Sequence, residues 1–173
     1  MNKPSYQRSV DRPDRDRARV EVPEEVAALF DEEQETPAGL GNNQAFSLIT
    51  VSPSGHPHVL LLSQTQLALS SSKDELLVSV HGQQTRSNLK EHHQATLAAV
   101  TADAAHYLKC TVMRDIEKAG RGGFELRIDE HERDSAGVRL SPLSFEFSPE
   151  LAVSEHWDLD RDVVLTLRGS SNR

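Results

Sequence analysis

Eight histidines and one cysteine are the side chains best equipped for chemistry in this 173-residue chain. His56 and His58 stand two apart, so on a strand they face one side, as chelating pairs do. They bracket Pro57 in Ser52–Pro57 (SPSGHP), and a solvated turn is the simpler reading. His92 and His93 are adjacent on an expected helix and therefore diverge. A helix end, where the dipole favours histidine, accounts for them. No HExxH, CxxC or carboxylate–histidine spacing supports metal catalysis. No GxSxG, and no Cys/His pair that the sequence can justify, supports a nucleophile. Cys110 falls on an apolar strand face and reads as an inert buried thiol. Standing alone, it also excludes an intrachain disulfide and a cysteine-based zinc site. The charge run Asp129–Asp134 (DEHERD) reads as a solvated face.

One junction is more specific. The strand Leu76–His81 runs into Gly82, then Gln83, Gln84 and Thr85, then a helix. Such a junction presents free backbone N–H groups and the positive end of a helix dipole, where a phosphate is well placed. Gln84, Thr85 and Arg86 add donors there. An ordinary capped helix, with Thr85 as its N-cap, is the competing reading.

The elements that would position these residues are mostly strands. Ala45–Val51 (AFSLITV) is apolar on both faces. The turn Ser52–Pro57 links it to a second strand, His58–Leu69, and the two form a hairpin. Leu76–His81 is a third strand, and Gln83–His93 a short helix. Ala95–Thr101 and His106–Glu117 return to strand, with Leu108, Cys110, Val112 and Ile116 on one face. After the glycine turn Ala119–Gly123, a strand carries Phe124, Leu126 and Ile128. Val138–Ser148 reads as a last strand, and Glu150–Arg168 as a helix or strand around Trp157. Upstream, Pro23–Glu33 reads as a short amphipathic helix and Thr36–Asn43 as a loop. The stretch 2–19 lacks an apolar face and reads as a flexible, mixed-charge arm. The organisation expected is thus an arm and short helix over residues 1–43, one barrel domain over 44–168 and a frayed end over 169–173. Six or so strands with one short helix predict a mainly β chain, an antiparallel barrel closed or nearly so.

Composition narrows the function. The hydrophobic residues make up 36% and the formal net charge is −8. That balance argues against nucleic acid and anionic membrane as partners. No apolar run reaches the ~18–20 residues that span a bilayer. The first residues lack the apolar core of a secretory signal, so a soluble, cytoplasmic protein is expected.

Gly55-His56-Pro57-His58, the apolar strand after it, Thr85-Arg86-Ser87-Asn88-Leu89-Lys90 and Ala95-Thr96-Leu97 together resemble the pyridoxamine 5′-phosphate oxidase-like proteins. In that family a Gly-x-Pro hairpin turn, a strand and a T/K-x-x-N-L helix lead into a further strand. His106–Val112 resembles the next strand, where glycine commonly stands in place of Cys110. The resemblance spans roughly Ala45–Glu117. It implies an FMN-binding split barrel, a homodimer with the flavin groove between subunits. It implies ring contacts along Leu60, Leu61, Leu62 and Ser63, and ring or ribityl contacts at Val78 and Ser79. Phosphate contacts fall at Gln83, Gln84 and Thr85, with Arg86, Asn88 and Lys90 nearby, and Tyr107 lies near the partner's flavin. The founding oxidases carry arginine at the position of Leu60, lysine at that of Thr65 and an Arg-Lys pair at Gln84-Thr85. Their C-terminal Arg-Leu-x-Pro is also missing from this C-terminus; Arg139-Leu140-Ser141-Pro142 spells it only inside the chain. These departures count against pyridoxamine phosphate oxidation. Three functions follow: an FMN-dependent oxidoreductase acting on a small molecule, a barrel that binds a flavin or another anionic ligand without turnover, or a user of the deazaflavin F420.

Overall fold

The computed structural model describes residues 20–30, 44–135, 137–146 and 148–171. The arm expected over 2–19, the loop expected over 36–43 and Phe147 lie outside the described residues. Seven strands form one antiparallel sheet: β1 (Ala45–Val51), β2 (Pro57–Ser63), β3 (Leu67–Leu69), β4 (Glu75–Val80), β5 (Gln94–Val100), β6 (Ala105–Lys118) and β7 (Arg121–Asp134). Their spatial order is β2-β1-β5-β6-β7-β4-β3. Among the described residues no ladder joins β2 to β3, so the sheet curls into a half-barrel that stays split. Among the described residues four α-helices complete the fold: α1 (Glu24–Ala27), α2 (Gln83–His92), α3 (Pro149–Ser154) and α4 (Trp157–Ser171). The protein is mainly β, as its alternation predicts.

The β1–β2 hairpin runs in register from Ala45 opposite Ser63 to Val51 opposite Pro57. Its turn closes with the Ser52 N–H donating to the His56 carbonyl and with Gly55 at a φ of 84°, a conformation that favours glycine. The expected strand His58–Leu69 is in fact two. Ser63 caps a 3-10 turn over Gln64–Gln66, with its N–H donating to Gln66 Oε1 at 3.0 Å. Local side-chain bonds of this kind compete with ladder bonds. The chain therefore leaves one edge of the sheet at β2 and rejoins at the other as β3.

Two further expectations are corrected. Strand β7 runs on through DEHERD, because Lys109 on β6 meets Glu132 at 2.5 Å and Glu130 at 3.3 Å across the pair. Glu130, Glu132, Arg133 and Asp134 are exposed, so the run is the solvated face that the sequence suggests, carried on a strand rather than beside a turn. Val138–Ser148 forms no strand among its described residues; one bridge, Gln44 to Ser144, is its sheet contact. The ambiguous 150–168 region is helical, as α3 and α4.

Inside the curl lie Phe46, Leu48, Leu62, Leu76, Val78, Leu97, Leu108, Phe124, Leu126 and Ile128. Val22, Val26 and Phe30 join them from α1 and its flanks, with Phe30 stacked on Phe46 at 5.2 Å between centroids. Burying one such side chain contributes about 1.5–3 kcal/mol. A second apolar layer forms on the other face, where Ala68 and Leu77 pack under Val163, Val164 and Leu167 of α4. Strand β4 is thus buried on both sides, which explains its unbroken apolar run.

Candidate functional site

The helix α2 begins at Gln83, with Gly82 as its N-cap. The Arg86 N–H is the first to be accepted within the helix, by the Gly82 carbonyl. The N–H groups of Gln83, Gln84 and Thr85 come before it, where an α-helix offers no acceptor. Among the described residues no side chain caps this end. Thr85 is not the N-cap that the sequence suggests. It is the third residue of the helix and is buried, its Oγ1 3.1 Å from His58 Nε2 on β2.

Beside this end lies a cavity of about 360 Å³, toward the small end of the ~300–1,000 Å³ typical of ligand pockets. Leu60, Leu61 and Ser63 of β2 form one wall, and His81 and Gly82 another. Phe145, Leu151 and Trp157 close it from the C-terminal segment. Among the described residues strand β2 pairs with β1 alone, so half of its backbone groups face outward without a strand partner there.

The polar corner of the cavity is built on three buried side chains, Ser79, Arg121 and Asp160. Asp160 of α4 accepts a hydrogen bond from Ser79 Oγ at 2.6 Å. Arg121, at the start of β7, places Nε 2.9 Å from the same carboxylate oxygen. Its other nitrogens donate to the carbonyls of Glu155 and His156, at 2.8 and 3.1 Å, and to His81 Nδ1 at 3.2 Å. A guanidinium only donates. Nδ1 of His81 is therefore the acceptor in this contact. Burial pushes the Asp160 carboxyl above its ordinary range, opposed by the Ser79 hydrogen bond and the Arg121 charge.

The cavity gathers some of the residues that the sequence singles out and leaves others elsewhere. Leu60, Leu61 and Ser63 line it. Leu62 and Val78 lie in the apolar core, and Ser79 is bonded to Asp160. Gln83 is exposed at the helix start, and Gln84 reaches along α2 to donate to Asn88 Oδ1 at 2.8 Å. Asn88 is buried, and its own amide donates to Thr50 Oγ1 at 2.9 Å. Arg86 turns to the β6–β7 hairpin. It meets both Glu117 oxygens at 2.7 Å and the Gly120 carbonyl at 3.0 Å. Lys90 joins it on Glu117 at 2.8 Å. Tyr107 stands on β6 opposite Ala98 and Glu132 and is not part of the cavity lining.

His81, Arg121, Phe145, Leu151, Trp157 and Asp160 were not legible as site residues. Arg121 sits at the edge of a glycine turn, and the others lie at a strand end or in the segment with the weakest periodicity. The single tryptophan was the one available signal. Cys110 is buried, and burial raises its thiol pKa, so thiolate chemistry is disfavoured. Among the described residues, no three of His, Cys, Asp and Glu gather as a metal site. No described helix is long and apolar enough to cross a membrane.

No protein-family model matches this sequence, and no curated protein does. Solved structures with a similar backbone include an F420 reductase, 16% identical, at a TM-score of 0.45 over 54% of this chain and 92% of that one. The styrene monooxygenase flavin reductase SMOB from Pseudomonas putida S12 is 10% identical, at 0.46 over 61% and 95%. HupZ of Group A Streptococcus is 15% identical, at 0.46 over 57% and 91%.

Proposed function

We propose that this chain binds a flavin mononucleotide, with the ring along β2 in the cavity and the phosphate at the start of α2. The observation that carries this reading is one juxtaposition. The cavity joins an apolar edge strand to Gly82, and the three N–H groups that follow have no acceptor in the helix. The residues present suit both ends of such a ligand. Leucines and aromatic groups cover a flat ring, unpaired backbone groups of β2 meet its polar edge, and the helix dipole favours an anion. Bound there, the flavin would supply hydride and electron transfer. The chain's own part is to hold the ring, exclude water from it and fix the phosphate. Arg86 and Lys90 are engaged by Glu117, so the phosphate is held by neutral donors.

On this reading the protein is a flavin-dependent oxidoreductase of the pyridoxamine 5′-phosphate oxidase-like type, and it works as a homodimer. The dimer is supported by the bare outer face of β1 and β2, where Val51, Val59 and Leu61 are 42%, 55% and 48% exposed. Large apolar side chains grouped on one sheet face mark an interaction surface.

Titration of the full chain with FMN, riboflavin and the deazaflavin F420, followed by flavin absorption and fluorescence, tests the reading. FMN should bind at least about tenfold more tightly than riboflavin, ~1.4 kcal/mol for the phosphate. Preference for the deazaflavin would transfer the site to that cofactor, and failure of all three to bind would overturn it.

A further inference from the structure

We propose that the C-terminal helices supply one wall of the ligand cavity, and that Trp157 is the aromatic contact of the bound ring. This rests on the flavin reading above and extends it to residues outside the sequence motifs.

Across from β2, and beside His81, Gly82 and Arg121, the cavity is walled by C-terminal residues: Phe145, Leu151, Glu155, Trp157 and Asp160. Trp157 is buried, and Phe145 meets it edge-on at 6.3 Å between centroids. An indole supported in this way is a rigid apolar wall for a planar heterocycle, and its face suits an electron-poor ring. Its position is fixed by polar bonds on both sides. The Arg121 guanidinium holds the Glu155 and His156 carbonyls, immediately before Trp157. Asp160, one helical turn beyond it, is tied to Ser79 on β4 and paired with Arg121. Trp157 therefore lies between two anchored points. Arg121 is a positioning residue here, and Trp157 the contact.

Trp157 is the only tryptophan in the chain, so its emission reports the cavity without a label. In the full-length protein, FMN should quench it with the same dissociation constant that flavin absorption gives. Trp157→Ala should weaken FMN and riboflavin alike, by about two- to tenfold. Trp157→Phe should restore most of that loss. Val153→Ala, on the exposed side of α3, should change neither. Arg121→Lys cannot hold two carbonyls and a carboxylate in one fork. It should red-shift the emission of the ligand-free protein and weaken flavin, with far-ultraviolet dichroism unchanged. Unquenched emission on saturation with FMN overturns the proposal and leaves the flavin reading intact. So does undiminished affinity in a folded Trp157→Ala protein. Failure of wild type to take up any flavin overturns both.

Discussion

Asp160 of α4 and Ser79 of β4 meet at 2.6 Å, both buried, 81 residues apart in sequence. Their contact ties the C-terminal helix to a strand of the sheet, and Arg121 shares the same carboxylate oxygen. Removing either partner should have unequal effects. Asp160→Ala leaves a buried guanidinium without its counter-charge, at a cost of about 3–5 kcal/mol. Ser79→Ala removes one hydrogen bond to a charged group, about 1.5–3 kcal/mol. Urea unfolding of the two variants measures the difference. Equal losses would show that Arg121 does not depend on Asp160.

Gly123 should be equally intolerant of change. A Cβ there would stand 2.7 Å from Val163 Cγ1 and 2.8 Å from Ile116 Cγ1. The glycine lets α4 pack directly onto β7. Gly123→Ala should cost about 1–3 kcal/mol by overpacking. Adding Val163→Ala should recover part of that loss, and a double-mutant cycle by urea unfolding reads the coupling. Strict additivity would place the clash elsewhere.

Stability should fall on acidification because of His106. This buried residue of β6 has Nδ1 3.1 Å from His131 Nε2, and Nε2 facing Thr101 Oγ1 at 3.3 Å and Glu25 at 3.9 Å. Arg133 and Asp103 lie close by. Burial is the main cause that lowers its pKa, with His131 and Arg133 adding to it and Glu25 and Asp103 opposing. A lowered pKa means that, below about pH 6.5, the unfolded chain takes up a proton that the fold rejects. The contribution is complete above that pH and is lost as pH falls toward the folded value. The slope from this one proton cannot exceed about 1.4 kcal/mol per pH unit. Urea midpoints between pH 7.5 and 5 should decline, and His106→Gln should flatten the decline. An unchanged slope in that variant assigns the effect to other groups.

The sheet was legible in the sequence where burial and local pattern agree. Ala45–Val51 matches β1 residue for residue, and the helix after Gly82 begins where the strand ends. The misses share a cause. Ser63 breaks a strand through side-chain bonds that no periodicity shows, and DEHERD stays in a ladder because Lys109 on the neighbouring strand β6 faces it. The cavity's far wall was invisible for the same reason. Arg121, Trp157 and Asp160 come together only once α4 has docked. Pattern reading finds residues near one another along the chain, and the β2–α2 half of the site is of that kind.

Arg86 should matter little for phosphate recognition. Its guanidinium is held by Glu117 and the Gly120 carbonyl, on the β6–β7 hairpin. Arg86→Ala should lower stability by no more than about 1 kcal/mol, as partly exposed ion pairs do. The ratio of FMN to riboflavin affinity should stay within about threefold of wild type, by far less than the tenfold worth ~1.4 kcal/mol. Flavin fluorescence titration of the variant decides this. A selective loss of FMN would mean that Arg86 leaves Glu117 for the phosphate.

The bare face of β1 and β2 carries the final prediction. In the hairpin register Val59 stands opposite Ile49, Leu61 opposite Ser47, and Val51 opposite Pro57. These side chains alternate onto the face away from the core, where α4 packs against β3 and β4 instead. Three exposed large apolar residues in one patch favour a second copy of the chain as cover. A stable interface of this type buries on the order of 2,000 Å² or more. Sedimentation of the wild type at micromolar concentration should therefore give twice the chain mass of 19.2 kDa. Val59→Lys places a charge in the middle of the patch and does not touch the cavity lining. It should shift the protein to monomer with its melting profile still cooperative. A wild type that sediments as monomer would leave the patch without this partner and refute the dimer.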